Sequence, residues 1–98
     1  MANNENSALD VKRAAQIAAS YLQDLNPKAE NVRVEEVEIS DDNSILTVTL
    51  GYYLAEEVEK KHFLDTLARP QRLYRVFKVD RSTGEVRSMK IREPIHAG

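Results

Sequence analysis

Apolar residues recur at steps of three and four from Ala14 through Ile17, Ala18, Tyr21 and Leu22 to Leu25, which predicts an amphipathic helix. Lys12, Arg13, Gln16 and Gln23 take the opposite side. Upstream, Ser7-Ala8-Leu9-Asp10 reads as a capping box, with a hydroxyl and an acid three positions apart to satisfy free N–H groups. Asn26-Pro27 ends the helix, because proline disfavours helical geometry in the residue before it. Ala14 and Ala18 are small, so the helix axis is expected to lie close to whatever it covers there.

From Val32 the period drops to two and predicts strand. Val32 and Val34 share one parity, Val37 and Ile39 the other, so a straight strand would place these pairs on opposite faces. A β-bulge at Glu35-Glu36 would bring all four onto one face; the alternative is an uninterrupted strand with apolar groups on both sides. Ser40-Asp41-Asp42-Asn43 is a turn. Ile45 to Tyr53 is a second strand, with Leu46, Val48 and Leu50 inward and Thr47 and Thr49 outward. Residues 54–68 fit a short second helix ended by Arg69-Pro70, or a continuation of the strand into a charged loop.

Leu73 to Asp80 and Val86 to Glu93 are strands joined by Arg81-Ser82-Thr83-Gly84, in which glycine supplies a positive φ and Asp80 accepts from loop N–H groups. If Asp80 faces Glu85, Val76 faces Met89 and Tyr74 faces Ile91. One side of the hairpin then carries Tyr74, Val76, Met89 and Ile91, and is expected to meet the helix. The reverse carries Leu73, Arg75, Phe77, Val79, Val86, Lys90 and Arg92. The element order predicts an α+β domain over residues 7–95, with an N-terminal helix packed on a curled four-stranded antiparallel sheet. Residues 1–6 and 96–98 are expected to be disordered ends.

The hairpin Tyr74-Arg75-Val76-Phe77-Lys78-Val79-Asp80-Arg81-Ser82-Thr83-Gly84-Glu85-Val86 resembles the final hairpin of PepSY-type domains. The helix followed by a curled antiparallel sheet resembles the cystatin-like architecture, and the chain is similar to small standalone bacterial proteins. PepSY-type domains occur in peptidase propeptides and as envelope-associated inhibitory modules, so the resemblance implies binding, and inhibiting, another protein. The chain departs from both patterns. The polar start Met1-Ala2-Asn3-Asn4-Glu5-Asn6, without a cationic or apolar region, is expected not to act as a secretory leader, and no Q-x-V-x-G segment of the kind cystatins use occurs in these residues.

Composition narrows the function classes. The 98 residues contain 14 Lys and Arg against 16 Asp and Glu, a formal charge of −2 that argues against a general polyanion binder. No cysteine is present, which excludes a disulfide framework, thiol catalysis and Cys-ligated zinc. No run approaches the length of a membrane span, and the cytoplasm is the expected compartment. His62 and His96 have no spaced acidic partner, and Asp41-Asp42-Asn43 lacks the spacing of a calcium loop. Gly51, Gly84 and Gly98 build no phosphate loop, and Tyr52-Tyr53 point to opposite faces rather than forming one platform. No catalytic residue, metal site or cofactor is indicated.

Charge is unevenly distributed. Residues 1–59 hold four basic and twelve acidic side chains, a net of −8, whereas residues 60–98 hold ten basic and four acidic, a net of +6. The half-apolar, half-basic hairpin side therefore reads as a docking surface formed by Leu73, Arg75, Phe77, Val79, Val86, Lys90 and Arg92. Glu35, Glu36 and Glu38 of a second copy would supply an acidic rim and give a symmetric homodimer. The competing expectation is that residues 54–68 cover this side within one chain. The functional expectation is a protein-interaction module of the adaptor or inhibitor type, binding a protein partner or a second copy. The alternatives are an anion or nucleic-acid binder using the basic hairpin, or a ligand-binding or enzymatic domain with a pocket under the sheet.

Overall fold

A computed structural model describes residues 10–55 and 71–93. Among these residues the chain forms α1 (Val11–Leu25) followed by β1 (Ala29–Ile39), β2 (Ile45–Leu54), β3 (Leu73–Asp80) and β4 (Val86–Arg92). The strands pair antiparallel in chain order, and α1 lies against one face of this curled sheet, the α+β arrangement expected from the sequence. Leu54 closes β2, and most of the helix expected at 54–68 lies outside the described residues, as does Ser7.

Asp10 is the N-cap of α1. Its backbone is extended (φ −85°, ψ 173°), and its carboxylate accepts from the Arg13 N–H at 2.8 Å. The pattern Ser7-Ala8-Leu9-Asp10 predicts a cap at Ser7; the cap falls three residues later because Asp10 can itself reach the orphan N–H of the first turn. At the other end the Asn26 N–H bonds the Leu22 carbonyl at 2.7 Å before Pro27.

Ala14, Ala18 and Leu22 are fully buried and form the inner line of the helix. They pack across β2, with lesser contact to β1 and β3. Beneath them lie Leu46, Val48, Leu50 and Tyr52 of β2 and Phe77 and Val79 of β3, all essentially inaccessible to water. The Tyr21 and Phe77 rings meet edge to face, centroids 6.1 Å apart. Each large side chain buried here contributes about 1.5–3 kcal/mol.

β1 slips twice against β2. Val34 pairs with Leu50 and Glu36 with Thr49, so Glu35 is the extra residue of a bulge, and Val34 and Val37 both turn to the helix side. Of the two alternatives left open by the parity change, the bulge is the one observed. The burial is unequal, because Val34 at the sheet margin stays 48% exposed while Val37 packs on the core. A second slip lies between Glu30 and Arg33, where Asn31 takes φ 57°, a left-handed conformation that asparagine tolerates.

The final hairpin corrects the sequence reading. Asp80 and Glu85 do close the loop, with Gly84 at φ 80°, and Val79 pairs with Val86. Lys78, however, pairs with Ser88, so Arg87 is an extra residue and everything after it shifts by one. Met89 now opposes Phe77 and Ile91 opposes Arg75 on the helix side, while Lys90 and Arg92 oppose Val76 and Tyr74 on the far side. β3 is oriented by its pairing with β2: Val79 lies beside Leu46 and Phe77 beside Val48, so Phe77 and Val79 go into the core. Tyr74 and Val76, assigned to the helix from the sequence, lie on the other face.

Candidate functional site

The far face of the sheet centres on Gly51, whose neighbours are Arg33 on β1 and Tyr74 on β3. Arg72, just before β3, lies across this glycine. Its Nε donates to Glu35 Oε2 at 2.9 Å, and its Nη2 donates to the Gly51 carbonyl at 2.9 Å and the Asn31 carbonyl at 3.2 Å. The guanidinium also sits 5.0 Å from the centroid of the Tyr53 ring. Asn31 and Glu35 lie where β1 slips, so the two bulges direct both acceptors to one arginine. Among the described residues its buried Nη1 has no hydrogen-bond partner.

Gly51 makes this arrangement fit. A Cβ there would lie 2.5 Å from Glu35 Oε2 and 2.7 Å from Arg72 Nε. Gly51→Ala is therefore expected to displace the ion pair and destabilise by about 1 kcal/mol. In an Arg72→Ala background the same change is expected to be neutral or to stabilise by about 0.5 kcal/mol, since alanine loses less backbone entropy. Urea unfolding of the four proteins measures this coupling, and additive effects would show that the pair does not sense the glycine.

A second ion pair crosses the far face, from Arg92 Nη1 of β4 to Glu36 Oε1 of β1 at 2.7 Å. Glu35, Glu36, Tyr74, Arg92 and Glu93 line a cleft of about 230 Å³. On the helix side, Tyr52, Leu73, Arg75 and Ile91 contribute to another of about 210 Å³, where Arg75 Nε donates to the Tyr52 hydroxyl at 3.0 Å. Both are smaller than the roughly 300–1,000 Å³ of ordinary small-molecule sites. Glu35 and Glu36 each accept from a guanidinium, Arg72 and Arg92 respectively. Among the described residues no group of three His, Asp or Glu side chains is placed to hold a metal ion. His62 and His96 lie outside the described residues.

The two hairpin turns lie at one end of the sheet and touch, the Arg81 N–H bonding the Ser44 carbonyl at 2.9 Å. Asp42 Oδ1 accepts from the Ser44 hydroxyl at 2.7 Å, the Ser40 hydroxyl at 2.7 Å and the Ser44 N–H at 3.0 Å. These bonds hold its pKa at about 2 instead of 3.8, the Ser44 hydroxyl having the largest effect. Asp80 is lowered in the same way, chiefly by the Ser82 hydroxyl. A depressed carboxylate stabilises the fold above its unfolded-state pKa and loses that contribution as pH falls through the folded value. Asp42→Asn is accordingly expected to lower the melting temperature at pH 6, with the difference from wild type shrinking between pH 4 and pH 2. A difference that persisted unchanged at pH 2 would contradict this.

The residues expected to form one docking surface are divided by the sheet. Phe77 and Val79 are core, Val86 packs against it, and Leu73 and Arg75 lie on the helix side. Lys90, Arg92, Glu36 and Glu38 lie on the far side, and Glu35 joins Arg72. The continuous surface expected from the sequence does not exist, because the Arg87 bulge separates the basic residues of β4 from the apolar residues of β3. Among the described residues it is α1 that covers Phe77, and residues 56–68 lie outside them. The acidic rim assigned to a second copy is met partly within the chain, by Arg92 on Glu36. Arg72 was missed, having no periodic or motif signal; Gly51, alone inside a strand pattern, was the available hint of a close approach.

The described residues leave exposed apolar groups at the sheet margins. Ile91 on β4 is 69% exposed and Ile39 on β1 is 47% exposed. No protein-family model, curated protein or solved structure matches the chain.

Proposed function

We propose that this protein is a small cytoplasmic protein-interaction module, of the adaptor or inhibitor type, that takes an extended segment of a partner along the outer edge of β4. The observation that carries this reading is the edge itself. β4 closes the sheet with no strand beyond it among the described residues, and it combines the exposed Ile91 with Arg87, Lys90 and Arg92. An open edge offers backbone hydrogen bonds to a fifth strand, and alternating side chains select which strand binds. Cationic residues beside an exposed isoleucine favour an acidic and apolar segment.

The helix on a curled sheet is compatible with a cystatin-like domain, and the hairpin's likeness to PepSY-type domains supports the same protein-binding class in a small bacterial protein. The nucleic-acid reading has less support, because the chain carries a formal charge of −2 rather than a clearly basic balance. Among the described residues no helix is long and apolar enough to cross a membrane.

Photo-crosslinking in cells tests the proposal, with the reactive residue placed at position 91 and, as a control, at exposed position 20 on the helix. Discrete protein adducts from position 91 and none from position 20 are expected. Equal adducts from both, or none from either, would overturn it. Duplex DNA binding that weakens steeply with salt would instead favour the nucleic-acid reading.

A further inference from the structure

We infer that the strand received by β4 is β1 of a second copy, joining the sheets of successive molecules edge to edge; the inference rests on the edge-binding reading above. β1 and β4 are the two edges of the described sheet and run antiparallel to each other. A neighbouring copy placed beside the first with its helix on the same side therefore presents β1 to β4 as an ordinary antiparallel partner.

The edges are complementary in charge. β4 carries Arg87, Lys90 and Arg92 and no acid, whereas β1 carries four glutamates and one arginine. A symmetric β4–β4 contact centred on Lys90 or Ile91 would set Lys90 against Lys90 or Arg92, and a β1–β1 contact centred on Glu36, Val37 or Glu38 would set glutamate against glutamate, which is destabilising. One register of β4 on β1 satisfies both faces. With Lys90 opposite Glu38 and Arg92 opposite Glu36, the far face pairs cations with anions. The same register sets Ile91 opposite Val37 and Met89 opposite Ile39 on the helix side, covering the two exposed isoleucines. The segments involved, Met89–Arg92 and Glu36–Ile39, both avoid the bulges at Arg87 and Glu35. Since Arg92 and Glu36 already pair within each chain, selection between copies falls mainly on Lys90 and Glu38, exposed residues without an ion pair among the described residues. The contact is head to tail, so it extends into linear oligomers instead of a symmetric dimer.

Sedimentation velocity over a concentration series tests this with wild type, Lys90→Glu, Glu38→Lys, their equimolar mixture and the double variant. Wild type is expected to associate with rising concentration and to dissociate in high salt. Each single reversal is expected to weaken association roughly tenfold. The mixture and the double variant are expected to recover it, because each restores an opposite-charge pair at every junction. A monomeric wild type at all concentrations, single variants that associate like wild type, or a mixture that stays monomeric would each overturn the inference. The single variants change exposed side chains, and unchanged thermal melts would confirm that they fold. A monomeric wild type that still gives protein adducts from position 91 would overturn the second-copy assignment alone, whereas absence of adducts would overturn edge binding itself.

Discussion

Phe77→Ala is expected to lower the stability of this protein by about 3–5 kcal/mol. Phe77 has no accessible surface. Its neighbours across the sheet are Val48 on one side and Met89 on the other, and its ring meets that of Tyr21 on the helix. Truncation leaves a cavity that α1 cannot close without moving away from the rest of β2. Domains of this size have roughly 5–15 kcal/mol in total, so the loss takes a large share. Phe77→Glu goes further, since an unpaired carboxylate in that position has no water and no cation, and cooperative unfolding should be absent. Urea denaturation followed by circular dichroism checks both. If Phe77 were an interface residue, Phe77→Glu would instead be a well-folded monomer with a near wild-type midpoint.

Ala18→Asp is expected to destabilise by on the order of 4 kcal/mol or more, and more than Ile17→Asp. Ala18 is fully buried in the inner line of α1, where a methyl group allows close approach to the sheet. A carboxylate there must push the helix outward or remain buried without a partner. The periodicity placed Ile17 equally within the apolar face, but it is only partly buried, and a carboxylate at that position can reach water. Ala18→Leu isolates the steric part and should cost about 1–3 kcal/mol. Thermal melts of the three variants give the order. Equal sensitivity at positions 17 and 18 would mean that the helix is rotated from the orientation described.

Little of the candidate site was legible in the sequence. Lys90, Arg92, Glu36 and Glu38 were singled out by the charge asymmetry, and they do share one face of the sheet. Their association with Phe77 and Val79 was incorrect, because a single unpaired residue at Arg87 reverses the facing of the rest of β4. Hairpin loops reveal themselves through glycine and short polar side chains, as Gly84 and Asp80 do. The Arg87 bulge has no such marker. The Arg72 cluster was equally hidden, since its partners lie far away in sequence and meet only across a completed sheet.

Local chemistry determined the elements themselves. The spacing from Ala14 to Leu25 produced α1, and the alternation of Leu46, Val48 and Leu50 oriented β2 correctly, whereas the parity change in β1 allowed a bulge or a straight strand and pairing with β2 decided for the bulge. The helix and the facing of β2 depend on contacts within a few residues or on one buried face with an unambiguous period. The orientation of β3 was different: Tyr74 and Val76 have one parity, and Leu73, Phe77 and Val79 the other, so both faces offer apolar groups. Only pairing with β2 decided between them, because Phe77 and Val79 can share the helix-covered face with Val48 and Leu46 when all four side chains point the same way. That choice, made across the sheet rather than along the chain, acted together with the Arg87 bulge to put Lys90 and Arg92 on the far face and Ile91 at the open edge.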